Sequence, residues 1–230
     1  MREDWASHKS ERSVEIPKFF ELINEYSPKT MLDVGFAGGF YHEDITDLGI
    51  KYTGMDADPT RIGGQAMKVD EEKKQKWRKS LNRIEVLGMD ILDWKSKRQF
   101  DMVASISVIE HIIPCGYGRK NRGPKADLMA VDKMKDHVKP SGHLILSFPT
   151  GIDTTGKELK PDDLAVINGI KYDNIINNDA TFILLDEFFW TETSLGVWTL
   201  CNKDTALNFE YTDMGHAKTL AVICLHKMHK

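Results

Sequence analysis

Between residues 30 and 149 the chain alternates short apolar runs with helix-like segments, and that rhythm limits its fold more than any other feature. The runs are "KTMLDVG" from Lys29, "IKYTGMDADP" from Ile50, "RIEVLGMDILDW" from Arg83, "QFDMVASISVIEHI" from Gln99 and "HLILSFP" from His143. Between them, "FYHEDITDLG" reads as a helix stopped by Gly49, and "EEKKQKWRKSLN" as a charged helix or solvated loop. "KADLMAVDKMKDHV" spaces Leu128, Val131, Met134 and Val138 for a helix that ends before Lys139-Pro140-Ser141-Gly142. Upstream, "SVEIPKFFELINEYS" puts Val14, Ile16, Phe19, Phe20, Leu22 and Ile23 on one side of a helix, with Pro17 tolerable near its first turn. Strand and helix in alternation with short connections predict a parallel sheet covered on both faces.

Beyond residue 150 the rhythm changes. Residues 151 to about 180 are polar, "TFILLDEFFW" is apolar again, and "TETSLGVWTLCN" is compatible with a helix. "ALNFEYT" and "TLAVICLHKM" read as two closing strands joined by "DMGHAK". With 230 residues, 41% of them hydrophobic, the chain can build one sizeable core, so a single domain with decorations is expected. A net charge of −4 gives no global basic field for nucleic acid. Cys115, Cys201 and Cys224 are scattered without ligand spacing, which argues against a zinc site or disulfide framework and suits a reducing compartment. No apolar run follows "MREDWASHKSER" and none approaches membrane length, so a cytoplasmic, membrane-free protein is expected.

The chemistry is concentrated where the runs end. In "MLDVGFAGGF" an apolar strand carrying Asp33 breaks into Gly35, Phe36, Ala37, Gly38 and Gly39. Small residues there allow a sharp turn and close approach of something to the backbone. Ligands of open parallel sheets collect beyond the carboxyl ends of the strands, and Asp56 ends the second run about twenty residues on, where a ribose-gripping carboxylate sits. A small-residue loop with an acid at that distance points to a nucleoside-containing cofactor. A nicotinamide-dependent reductase is the rival nucleotide reading. Its tyrosine four residues before a lysine is missing at all six tyrosines here.

Taken in order, "LDVGFAGG", "YTGMDADP", "GMDILDW", "FDMVASISVIEHI" and "HVKPSGHLILSFP" resemble the class I S-adenosylmethionine-dependent methyltransferases from about Thr30 to Pro149. The resemblance implies a doubly wound α/β fold: a mostly parallel seven-stranded sheet with a reversed last strand and helices on both faces. It implies S-adenosyl-L-methionine as cofactor. Asp33 and the backbone of Gly35, Phe36, Ala37, Gly38 and Gly39 would hold its methionine part. Asp56 would accept the ribose hydroxyls, with Ala57 or Asp58 near the adenine. Asp90 would take the exocyclic amine, Ile91 would pack on the ring, and Ser107 would complete the cofactor set. The family's usual glycine at the centre of the loop is Ala37 here, small enough where the backbone angle is negative.

In that family the loop after the fourth strand faces the methyl group; here it is "SVIEHIIPCGYGRKNRGPK". Glu110 and His111 resemble the family's Glu-His pair and are the candidate catalytic residues. His111 could take a proton from a hydroxyl acceptor, since imidazole ionises near neutrality. The bland alternative is that Glu110 braces the cofactor loop and His111 packs against it. Tyr117, Arg119, Lys120, Arg122 and Lys125 form either a solvated loop or a grip for an anionic acceptor. Residues 151–200 form the family's variable region, expected to cover the acceptor site, and Trp190, with Tyr172, Phe188 and Phe189, is a candidate wall of it. Residues 1–28 are expected as a polar segment followed by a helix.

The leading expectation is methyl transfer to a small-molecule or glycan-type acceptor at oxygen. A non-catalytic adenosyl- or partner-binding module and an RNA methyltransferase are the alternatives. The acidic balance and the absence of an Asn/Asp-Pro-Pro-Tyr/Phe signature make nucleic acid the less favoured partner.

Overall fold

The computed structural model describes residues 9–36, 41–58, 62, 75, 78–112, 123, 125–155, 166–212 and 216–229. Helix α1 (Arg12–Tyr26) leads into β1 (Thr30–Val34), α2 (His42–Asp47), β2 (Lys51–Asp56) and β3 (Glu85–Gly88). A 3-10 turn (Ile91–Asp93), β4 (Phe100–Ile106) and a second 3-10 turn (Ile109–His111) come next. Then come α3 (Ala126–Asp136), β5 (Val138–Pro149), β6 (Ile152–Asp153) and α4 (Gly169–Asn177). The chain closes with β7 (Phe182–Ser194), β8 (Val197–Cys201), α5 (Lys203–Leu207), β9 (Glu210–Tyr211) and β10 (Thr219–Lys227).

Eight of these strands form one sheet in the order β3-β2-β1-β4-β5-β10-β7-β8. The run from β3 to β5 is parallel, and β10 inserts antiparallel between β5 and β7. This is the expected α/β architecture with its last strand reversed, and one strand larger than expected. The extra strand comes from "TETSLGVWTLCN", which forms the turn and return strand of a hairpin with β7 rather than a helix. Gly196, at φ 74°, supplies the left-handed residue that the turn needs. The expected closing pair is also corrected. "TLAVICLHKM" is β10, but its sheet neighbours are β5 and β7, while "ALNFEYT" becomes α5 and the two-residue β9, which pairs with β6. The stretch 151–200 is therefore an insertion only in part, because β7 and β8 belong to the central sheet.

Central strands are buried on both faces, which is why they read as near-continuous apolar runs. One face packs Leu32, Val103, Leu144 and Leu146 against α3 and α4. The other packs Met31, Met102, Ala104 and Ile145 against Ile16, Phe19 and Ile23 of α1 and Ile45 of α2. The helix stops earlier than expected, at Asp136, so Val138 begins β5 and Lys139-Pro140-Ser141-Gly142 lies inside that strand as an irregularity. The register shifts between Phe100 and Met102, and Ser141 takes φ 62°.

Candidate cofactor cleft and acceptor side

The carboxyl ends of β1, β2, β3 and β4 surround an open cleft lined by Val34, Gly35, Met55, Asp56, Ala57, Met89, Asp90, Ile91, Val108 and Ile112. Five of these, Gly35, Asp56, Ala57, Asp90 and Ile91, are residues the sequence singled out. Asp56 ends β2 almost fully buried, and its Oδ1 accepts the Asp58 N–H at 2.8 Å, which turns the chain away from the strand. Asp90 caps the first 3-10 turn by accepting the Leu92 N–H at 3.0 Å. That cap holds buried Ile91 against the cleft.

Gly35 is the pivot. Its φ is 87°, its N–H donates to the Met55 carbonyl at 2.7 Å, and a Cβ there would stand 2.3 Å from Val108 Cγ2. The space a side chain would need at this glycine is thus filled by Val108, the second residue beyond β4, which sequence reasoning missed. Val34, Met55, Met89 and Ile112 were missed as well. The only signal for Val108 and Ile112 was their place in the "SVIEHII" run beside the two candidate catalytic residues.

The other expected cofactor residues among those described lie outside this lining. Alternation along β1 turns Asp33 to the opposite face, under α1, where it is fully buried and accepts the Tyr52 hydroxyl. Burial pushes the Asp33 carboxyl up to about 6, partly offset by the hydroxyls of Tyr52 and Tyr41 and by Arg12. The Phe36 side chain is buried against Gly54, where a Cβ would stand 2.6 Å from its ring. Asp58 serves the turn through its backbone, and Ser107 is engaged with Ser147 and Glu15. Ala37, Gly38, Gly39, Tyr117, Arg119 and Arg122 lie outside the described residues.

Glu110 and His111 occupy the second 3-10 turn, next to Val108 and Ile112 of the cleft. Glu110 is almost fully buried, and burial holds its carboxyl well above the usual range. Glu15 and Glu11 reinforce that shift and Arg12 opposes it. Burial thus makes the Glu110 proton harder to remove than that of an ordinary carboxyl. Trp190, expected at the acceptor wall, is a core residue. It is 6% exposed and packs beside Phe188 in the cluster formed with α1, because alternation along β7 directs it there. Tyr172 and Phe189 are likewise buried, on the opposite face, with the Tyr172 hydroxyl donating to Glu187. Among the described residues no group of three or more His, Cys, Asp or Glu could hold a metal ion, and no helix is long and apolar enough to cross a membrane.

The chain matches known proteins across this region. Residues 8–175 match the family model described as a methyltransferase domain. The ubiquinone biosynthesis O-methyltransferase of Schizosaccharomyces pombe, a mitochondrial protein, is 27% identical over 187 residues, 70% of this chain and 60% of that protein. The ubiquinone biosynthesis O-methyltransferase of Nitrosomonas europaea is 25% identical over 164 residues, 63% of each chain. The chain therefore spans about three fifths of the length of these curated relatives. The structure of the N-methyltransferase NodS from Bradyrhizobium japonicum, in complex with S-adenosylhomocysteine, shares the fold with a TM-score of 0.62 at 14% identity, covering 100% of this chain and 94% of that one. The chain belongs to the methyltransferase domain family, of the class I, S-adenosylmethionine-dependent type.

Proposed function

We propose that this chain transfers a methyl group from S-adenosylmethionine to an oxygen atom of a small molecule. The observation that carries the reading is the convergence of Asp56, Asp90 and an apolar wall in one cleft beside the Glu110–His111 turn. Transfer to oxygen rests on the two curated relatives, both named as O-methyltransferases. The donor set suits the cofactor. Asp56 would pair with the two ribose hydroxyls, Asp90 would accept from the adenine amine, and Ile91, Met89, Val108 and Ile112 would enclose the ring.

When bound, S-adenosylmethionine supplies a methyl group on a positively charged sulfur that departs without acid assistance. The chain's own work is then to hold the acceptor oxygen in line with that methyl and to relieve it of its proton. His111 is the proposed base, and Glu110, whose carboxyl burial holds above the usual range, a proposed hydrogen-bond partner beside it.

The test begins with S-adenosylhomocysteine, which should raise the melting temperature of the wild-type protein. Asp56→Ala should weaken its binding roughly tenfold to a hundredfold, from about 1.5–3 kcal/mol for hydrogen bonds to a charged group. Calorimetry with unchanged affinity would remove the ribose assignment. A panel of small hydroxyl-bearing molecules with S-adenosylmethionine should then release S-adenosylhomocysteine. His111→Ala should slow that release by about 10²–10⁴ if the histidine is the base. Binding without turnover on any hydroxyl acceptor would leave the cofactor site standing and refute the oxygen assignment.

A further inference from the structure

Glu15, in the first turn of α1, is fully buried at the carboxyl ends of β4 and β5. Its Oε2 accepts hydrogen bonds from Ser107 Oγ and Ser147 Oγ, both at 2.7 Å. Its Oε1 faces Arg12 Nη1 at 3.1 Å. Ser107 is the first residue beyond β4 and holds φ 51°, an uncommon value for a residue with a Cβ. Its N–H donates to Ser147 Oγ at 2.9 Å and to the Ser147 carbonyl at 3.2 Å. The kinked residue is thus bracketed by β5 on one side and by the α1 carboxylate on the other.

Beyond the kink the chain enters the cofactor side of the site. Val108 covers Gly35 and lines the cleft, the 3-10 turn carries Glu110 and His111, and Ile112 lines the cleft again. The direction of the chain at Ser107 decides where all four arrive.

This carboxylate is not the sole anchor of α1. The helix is seated by Ile16, Phe19, Phe20 and Ile23, and its last turn is tied down by Tyr26, which stacks on His143 and donates to Asp186 at 2.6 Å. A buried ionic group is weak as a stabilising device, since a well-packed apolar residue often serves equally well or better. We infer that Glu15 is a positioning residue for cofactor binding, acting through the Ser107 hydroxyl to fix the β4 exit so that Val108 and Ile112 meet the cofactor.

The test reads S-adenosylhomocysteine affinity by calorimetry, so it does not depend on the acceptor proposed above. Glu15→Leu, measured on its folded fraction, should bind about tenfold more weakly. Glu15→Gln, whose amide oxygen can still accept from both serines, should remain within about threefold. Ser107→Ala should lose a similar factor to Glu15→Leu, and combining the two should lose little more, because they act as one unit. A Glu15→Leu protein that binds like wild type, or losses that multiply in the double variant, would return Glu15 to a purely structural role. If Glu15→Leu does not fold, the Gln and Ser107→Ala proteins decide: a strong loss in Glu15→Gln or none in Ser107→Ala overturns the inference. Loss of binding by Asp56→Ala is a separate result and bears only on the ribose site.

Discussion

Replacing Gly35 by alanine brings two costs that the geometry keeps apart. The first is conformational: at φ 87° an L-residue is strained, by about 1–2 kcal/mol. The chain cannot easily rotate away, because the Gly35 N–H is tied to the Met55 carbonyl at 2.7 Å. The second is steric: the new Cβ would lie 2.3 Å and 2.6 Å from the two Val108 methyl groups and 2.9 Å from Val108 Cβ. Forcing an extra carbon into such a contact costs about 1–3 kcal/mol. Together Gly35→Ala should lose about 2–5 kcal/mol, a large part of the roughly 5–15 kcal/mol that holds a domain folded. In urea, with a slope near 2–3 kcal/mol/M, the midpoint should fall by about 0.7–2.5 M.

The same substitution in a Val108→Ala background removes the two methyl groups that would collide but leaves the backbone strain. The two changes should therefore be coupled by at least about 1 kcal/mol in a double-mutant cycle. Strict additivity would show that Val108 is not what occupies the space over Gly35. S-adenosylhomocysteine binding, measured on the folded fraction, should weaken in Gly35→Ala too, since both residues line the cleft.

The buried polar groups give further outcomes. Tyr52→Phe removes the hydroxyl that donates to Asp33 and should cost about 1–3 kcal/mol in urea unfolding; a loss below about 0.5 kcal/mol would mean that water replaces the bond. His143 lies opposite His226 in the β5–β10 ladder, with Nε2 3.2 Å from His226 Nδ1, and burial followed by His226 lowers it to about 4. A histidine with a depressed folded pKa contributes its stability above the unfolded value near 6.5, and that contribution is lost as pH falls toward 4. His143→Gln should therefore flatten the fall in stability between pH 6.5 and 4, and an unchanged acid limb would refute the assignment.

Much of the fold was legible because one-dimensional patterns are enough for it. Apolar runs of strand length alternating with helix-period segments can be buried in few ways, and Asp56 and Asp90 are placed by the strand ends that precede them. Gly35 was legible for the same reason, since a strand must turn there. What the chain pairs with, and which way a side chain points, are not local properties. "TETSLGVWTLCN" suits a helix by itself and becomes a strand because β7 offers it an open edge. Trp190 and Phe189 are adjacent aromatics in the sequence, yet strand alternation sends them to opposite cores. The partner of Gly35 is a valine 73 positions away, since 108 − 35 = 73, and nothing near either residue announces the contact. Sequence reasoning did not single out Glu15. Only the packing of α1 across the ends of β4 and β5 buries it between two serines, because burial is decided by which elements meet in space.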